Sequence, residues 1–286
     1  MAALHITDGD VVAPAVAAAA GVPLGDVVPW RDVLHDGPVP AGLDPDELAH
    51  VRAAHLAARG WEEEDAALAQ LRERDRRLAE HPADREVVLW FESDLYDQLQ
   101  LAQVSDRLAG RPGPVTRVVL PHTPRADLRR LYLARTPVTP DGAAFAALRS
   151  PDPRAWEGVP GFARLREELP DVETGLGRLE AAVLDALADG PLTPHDLFER
   201  VAAREEEPWI ADLPLFAVAD ELAPLVLWSD AGDRPLYALT EAGEQVRAGA
   251  RPRPPIERWL GGVQLGDGRP RWAWDAAARR IVALEG

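Results

Sequence analysis

Three short stretches of the 286-residue chain carry the side chains best suited to chemistry. The first is Asp8-Gly9-Asp10. The second is Trp30-Arg31-Asp32, followed by His35 and Asp36. The third is Glu92-Ser93-Asp94, with Asp97 and Gln98 one turn later. Carboxylates that gather in one place raise each other's pKa or are balanced by a cation. Two kinds of chemistry follow. A hard divalent metal such as Mg or Mn could sit among Asp8, Asp10, Glu92 and Asp94. Alternatively, Asp10, Glu92 or Asp94 could act with His35 as general acid and base while Arg31 holds an anionic substrate group. Asp8, Asp32, Asp97 and Gln98 would then line the crevice, and Trp30 could stack on a substrate ring. Each residue also has an ordinary structural role: Asp8 and Asp10 in a turn, Asp94 as a helix N-cap, His35 and Asp36 before Gly37-Pro38 in a second turn, Trp30 in the core. His5, inside a strand, reads as a core histidine rather than a ligand. The case for function lies in the combination.

Only an ordered scaffold could bring these stretches together. Leu4 to Thr7 reads as a short strand, and Val11 to Ala20 as a helix stopped by Gly21. Asp26 to Trp30 is a second strand, with Pro29 suggesting an edge position. Asp44-Pro45-Asp46-Glu47 opens a helix with a capping box, and a charged helix follows from about 62 to 80. Glu86 to Phe91 is a continuous apolar run, as in a strand buried on both faces. Asp94 can cap the next helix, and Thr116 to Leu120 is a fourth strand. This alternation predicts an α/β domain, a Rossmann-like open parallel sheet, over residues 1–122 with a helical insertion at 44–80. In such sheets ligands bind beyond the carboxyl ends of the strands, where all three stretches fall.

Residues 123–172, rich in Pro and Arg, read as a helical bridge. Over 173–250, three helices and a hairpin predict a winged-helix-like domain. Residues 251–286, with Trp259, Trp272 and Trp274, read as a C-terminal tail packing on the body.

Composition narrows the chemistry. Apolar residues make up 47% and charged residues 28%, the balance of a globular chain. The chain has no Cys, Lys or Asn, which excludes thiol nucleophiles, thiolate metal sites, Schiff-base lysines and a P-loop lysine. No G-x-G-x-x-G follows the first strand, Ser93 is outside a G-x-S-x-G elbow, and there is no H-E-x-x-H. No apolar run reaches the ~18 residues of a membrane span. No basic leader precedes Val11 to Ala20, so a cytoplasmic protein is expected. A net charge of −17 disfavours broad nucleic-acid binding. Between Gly175 and Ala250 there are five arginines against fifteen acidic residues, so the second module is expected to dock a protein partner or a second copy of the chain rather than DNA.

The segments Leu4 to Asp10, Pro29 to Pro40 and Leu89 to Leu99 resemble the bacterial family catalogued as domain of unknown function 1835. The resemblance covers roughly the first 120 residues. It implies the front domain boundary and the site, and names no reaction. In that family's pattern Asn often stands at the place of Asp8 and His at the place of Ser93. That argues against a strict metal role for Asp8 and against Ser93 as a nucleophile.

Two functions are compatible with these features. One is an enzyme, a hydrolase or transferase, acting on a small anionic or nucleotide-like substrate. The other is a ligand sensor or adaptor that binds its partner through the acidic module. A transcription regulator is the weaker third reading.

Overall fold

The computed structural model describes residues 3–122, 127–206, 209–230, 234–254, 256–266, 269 and 271–284. The chain forms two compact units, residues 1–162 with 261–263, and residues 163–260 with 264–286.

The first unit is mixed α/β. The strands of its main sheet are β1 (Leu4–Thr7), β2 (Val27–Pro29), β3 (Val87–Phe91), β4 (Val115–Val119) and β5 (Thr136–Val138). They lie in the order β2-β1-β3-β4-β5, the first four parallel and β5 antiparallel at the edge. The expected strands are all present. The edge strand lies within the stretch expected as a helical bridge. Thr136-Pro137-Val138 is too short to announce itself, and a Pro is tolerated there because an edge strand leaves one side of its ladder unpaired.

Helices cover both faces of the sheet. α1 (Ala13–Ala20) ends at Gly21, whose φ of 73° is the left-handed conformation that stops a helix. α2 (Pro45–Ala58) begins with the capping box: Asp44 accepts from the N–H groups of Asp46 and Glu47, and Glu47 accepts from the Asp44 N–H. α3 (Glu64–Glu80) packs beside it through Ala49, Ala53, Leu56, Ala67 and Leu71. α4 (Leu95–Leu108) follows β3, and α5 (Leu128–Leu133) and α6 (Ala143–Leu148) follow β4 and β5. Side chains alternate across each strand, so the sheet has two cores. Ile6, Val28, Trp30, Leu89 and Phe91 pack with Val104 and Leu108 of α4. Val27, Val88, Trp90 and Val118 pack with Val16 and Ala17 of α1 and with Leu131 and Tyr132 of α5. His5 belongs to this second core. It is fully buried, accepts from the Trp90 indole at 3.0 Å, and burial pushes its pKa down to about 4.

The second unit contains α7 (Arg178–Ala186), α8 (Pro194–Ala202) and α9 (Asp212–Glu221). The antiparallel pair β6 (Val226–Ser229) and β7 (Leu236–Leu239) follows, then α10 (Glu241–Arg247). Thr193 and Thr240 cap α8 and α10. Residues 231–233, between β6 and β7, lie outside the described residues. A final hairpin, β8 (Arg271–Asp275) and β9 (Arg280–Leu284), joins the same unit through Trp274, whose N–H donates to Pro170 O at 2.8 Å. Among the described residues, no helix is long and apolar enough to cross a membrane.

Candidate functional site

Strand order decides where the site can be. β1 connects to β2 on one side of the sheet, and β3 connects to β4 on the other. The carboxyl ends of β1 and β3 therefore flank the point where the winding reverses, the position at which open α/β sheets bind ligands. β1 ends at Thr7 and delivers Asp8. β3 ends at Phe91 and delivers Glu92. β4 ends at Val119 and delivers His122 two residues beyond Leu120. Asp94 caps α4, accepting from the Asp97 N–H at 2.9 Å.

The Glu92 carboxylate and the His122 imidazole are in direct contact, a pair that carries opposite charges only when the imidazole is protonated. One donor atom each from Glu92, Asp94 and His122 lies within 4.8 Å of the others. The turn that holds Glu92 and Asp94 is tied by side chains from the first turn of α4. The Asp97 carboxylate accepts from the Glu92 N–H at 2.5 Å, and the Gln98 amide donates to Glu92 O at 2.5 Å. Asp97 is only 2% exposed.

Burial and mutual repulsion set the charges. Burial raises Asp94 to about 6, with help from Glu92 and Asp8 and against the Asp97 N–H and His122. Burial raises Asp97 further, to about 8, with Asp8 and Asp94 adding to it. Asp8 is raised by burial and by Asp10. Burial also raises the Tyr96 phenol, beside Asp8, Asp32 and Asp97. The crevice is thus over-supplied with carboxyl groups, and protons keep some of them neutral. Two carboxylates and an imidazole at this spacing are a donor set for a divalent cation.

The expected residues fare unequally. Asp8, Glu92, Asp94, Asp97 and Gln98 come together. His35 reaches the border of the group: it is buried, and its ring meets Tyr96 edge-on at 5.9 Å. Asp10 is outside the donor set. It is exposed and held by Arg31, whose Nε donates to it at 2.7 Å. The same pair occupies the guanidinium expected to hold a substrate anion.

Two residues expected to line the crevice are sealed inside the protein. Trp30 is fully buried; its indole donates to Gln103 at 2.7 Å, and the Arg74 guanidinium lies 4.5 Å from the ring centre. No substrate ring can stack on it. Asp32 is fully buried between Arg52 at 3.0 Å and Arg74 at 3.5 Å. The cause is the helical insertion, which sets Arg52 of α2 and Arg74 of α3 over the segment after β2. Arg52 also donates to Asp36 O and Val33 O, so it builds the loop that was expected to bind substrate. Asp36 is committed to Arg59 and His55, and the side-chain hydrogen bonds they make hold its carboxyl well below the usual range in spite of burial. Ser93 is exposed.

His122 was not anticipated. The available signal was its place just past the fourth strand, because in a parallel sheet every strand delivers its following residues to the same edge.

No family model, curated protein or solved structure matches this chain.

Proposed function

We propose that the chain is an enzyme, a hydrolase or transferase acting on a small anionic substrate, with a divalent cation held by Glu92, Asp94 and His122. The observation that carries this reading is the convergence of those three donors within 4.8 Å at the carboxyl ends of β3 and β4, beside the winding reversal. Asp8 adds negative charge next to the donors. When bound, the cation would polarise a substrate oxygen or lower the pKa of a water. It would also supply the positive charge an anionic substrate needs, since Arg31 is engaged by Asp10. Asp97 is a positioning residue that fixes the Glu92 backbone. His35, beside Tyr96, is the acid or base of this scheme. With Trp30 buried, recognition rests on the anionic group, and a nucleotide base has no indole to stack on.

The parallel order of β2, β1, β3 and β4 supports a Rossmann-like architecture for this unit, and three helices with a hairpin support a winged-helix-like second unit. The reading retains the likeness of the front segments to the bacterial family named above, which contributes no activity.

Melting of the purified protein with Mg, Mn and Zn ions tests the centre. A cation at about 100 times its Kd should stabilise by about 2.7 kcal/mol. The shift should vanish in Glu92→Gln and in His122→Ala. No shift with any cation, or an equal shift in both variants, rejects the site.

One observation favours the sensor or adaptor reading. Leu227 and Trp228 of β6 are 55% and 50% exposed on a unit that carries excess acidic charge. A protein partner or a second copy of the chain would cover them. Light scattering of wild type and Trp228→Arg reads self-association directly. DNA remains disfavoured by the charge.

A further inference from the structure

A second cavity lies in the first unit, on the sheet face covered by α4. Leu89 and Arg117 are cross-strand neighbours on β3 and β4, and Leu89 and Val115 both belong to the core beneath α4. Side chains two apart on a strand share a face, so Arg117 is on the α4 side as well. The edge strand β5 stops at Val138. Beyond it the chain turns through Thr139-Pro140, and Pro160 and Phe162 close the far wall. The space, open to solvent along one side, is about 410 Å³, within the range of small-molecule sites.

The walls are apolar except at a few points. Leu101, Ala102, Val138 and Phe162 are among the apolar lining residues, and Gln98, Ser105, Arg117, Thr139 and Asp141 are the polar ones. Arg117 makes no hydrogen bond or ion pair among the described residues, and its Nε is buried without a hydrogen-bond partner. Arg117 is half-buried, so one of its five guanidinium donors is sealed without a partner while the residue still reaches solvent. Two acids bear on this cation. Asp97 acts on it when ionised, from beyond ion-pair distance. Asp141 lines the cavity and already accepts from the Ala143 N–H at the start of α6, at 2.9 Å.

We propose that this cavity is a binding site for a small molecule with an anionic head, a carboxylate or phosphate monoester, and a compact apolar body. Arg117 takes the head through a paired, planar contact. Leu101, Val138 and Phe162 take the body. The site shares Gln98 with the metal crevice and does not depend on a cation being bound there.

The test is calorimetric titration of the full chain in chelator at constant ionic strength, with phenyl phosphate, benzoate and inorganic phosphate as probes. Wild type should bind phenyl phosphate or benzoate, and the stronger of the two identifies the head group. Inorganic phosphate, lacking the apolar body, should bind roughly tenfold more weakly, about 1.4 kcal/mol. Arg117→Met should lose binding. Ala144→Trp, which fills the cavity and leaves the guanidinium in place, should lose it too, and it carries the test if Arg117→Met folds poorly. Glu92→Gln should bind as wild type does. Absence of binding in wild type, or equal affinity in Ala144→Trp, overturns the proposal.

Discussion

Replacing Asp97 by Asn should stabilise the metal-free protein, and increasingly so as the pH rises. Asn keeps the shape and an oxygen to accept the Glu92 N–H. It removes a carboxyl whose pKa is raised from an ordinary 3.8 to about 8. In the folded protein that group holds its proton across this interval, whereas in the unfolded chain it gives the proton up near pH 4. The folded state therefore binds more protons, and stability falls as the pH rises. The contribution is intact below about pH 4 and is lost progressively up to about pH 8. Each pH unit costs up to about 1.4 kcal/mol, so the interval from pH 5 to pH 8 costs at most about 4 kcal/mol. The assay is urea unfolding of wild type and Asp97→Asn in chelator at pH 5, 6, 7 and 8. The advantage of Asn should grow by about 2–4 kcal/mol across the series, allowing for some relaxation around the buried charge. A constant difference, or an Asn variant that is weaker at pH 8, would refute the claim that this carboxyl is buried among like charges.

Three further outcomes follow from the geometry. Arg52→Met leaves Asp32 buried with only the 3.5 Å Arg74 contact, and should cost about 3–5 kcal/mol in urea unfolding. Adding Asp32→Asn should recover part of that loss, and a cost below about 1 kcal/mol for the single variant would mean the pair is not sealed from water. Gly37→Ala should destabilise by more than about 1 kcal/mol, because Gly37 has φ 81° and a Cβ there would run into the His55 ring; an unchanged unfolding midpoint would place that loop elsewhere. Arg31→Ala should alter stability by less than about 0.5 kcal/mol, since the Arg31–Asp10 pair is open to solvent, its side chains 39% and 63% exposed. A larger loss would show that this pair supports the turn after β1.

Local signals were legible in the chain and survive in the structure. The Asp44 capping box, the Asp94 cap, Gly21 as a helix stop and the apolar run of β3 depend on residues within one or two turns of each other. The backbone donors and side-chain oxygens involved meet whatever the rest of the chain does. The placing of the three polar stretches at one sheet edge was also legible, because strand–helix alternation leaves few topologies. His5 as a core residue follows from its setting among strand residues.

Contacts between distant segments were not legible. Trp30, Arg31, Asp32 and His35 follow one strand with no local difference to separate site from core. The structure separates them through Arg52 and Arg74, which come 20 and 42 residues after Asp32. His122 joins Glu92 because β4 lies beside β3, and Arg117 faces a cavity because β5 adds a short antiparallel edge. Residue type and spacing along the chain specify helices, strands and their ends, since these are short-range consequences of backbone hydrogen bonding. Which carboxylate meets a cation, which meets an arginine and which keeps its proton is a matter of burial and of distance through space, and those are set only when the sheet, the helical insertion and the edge strand have packed.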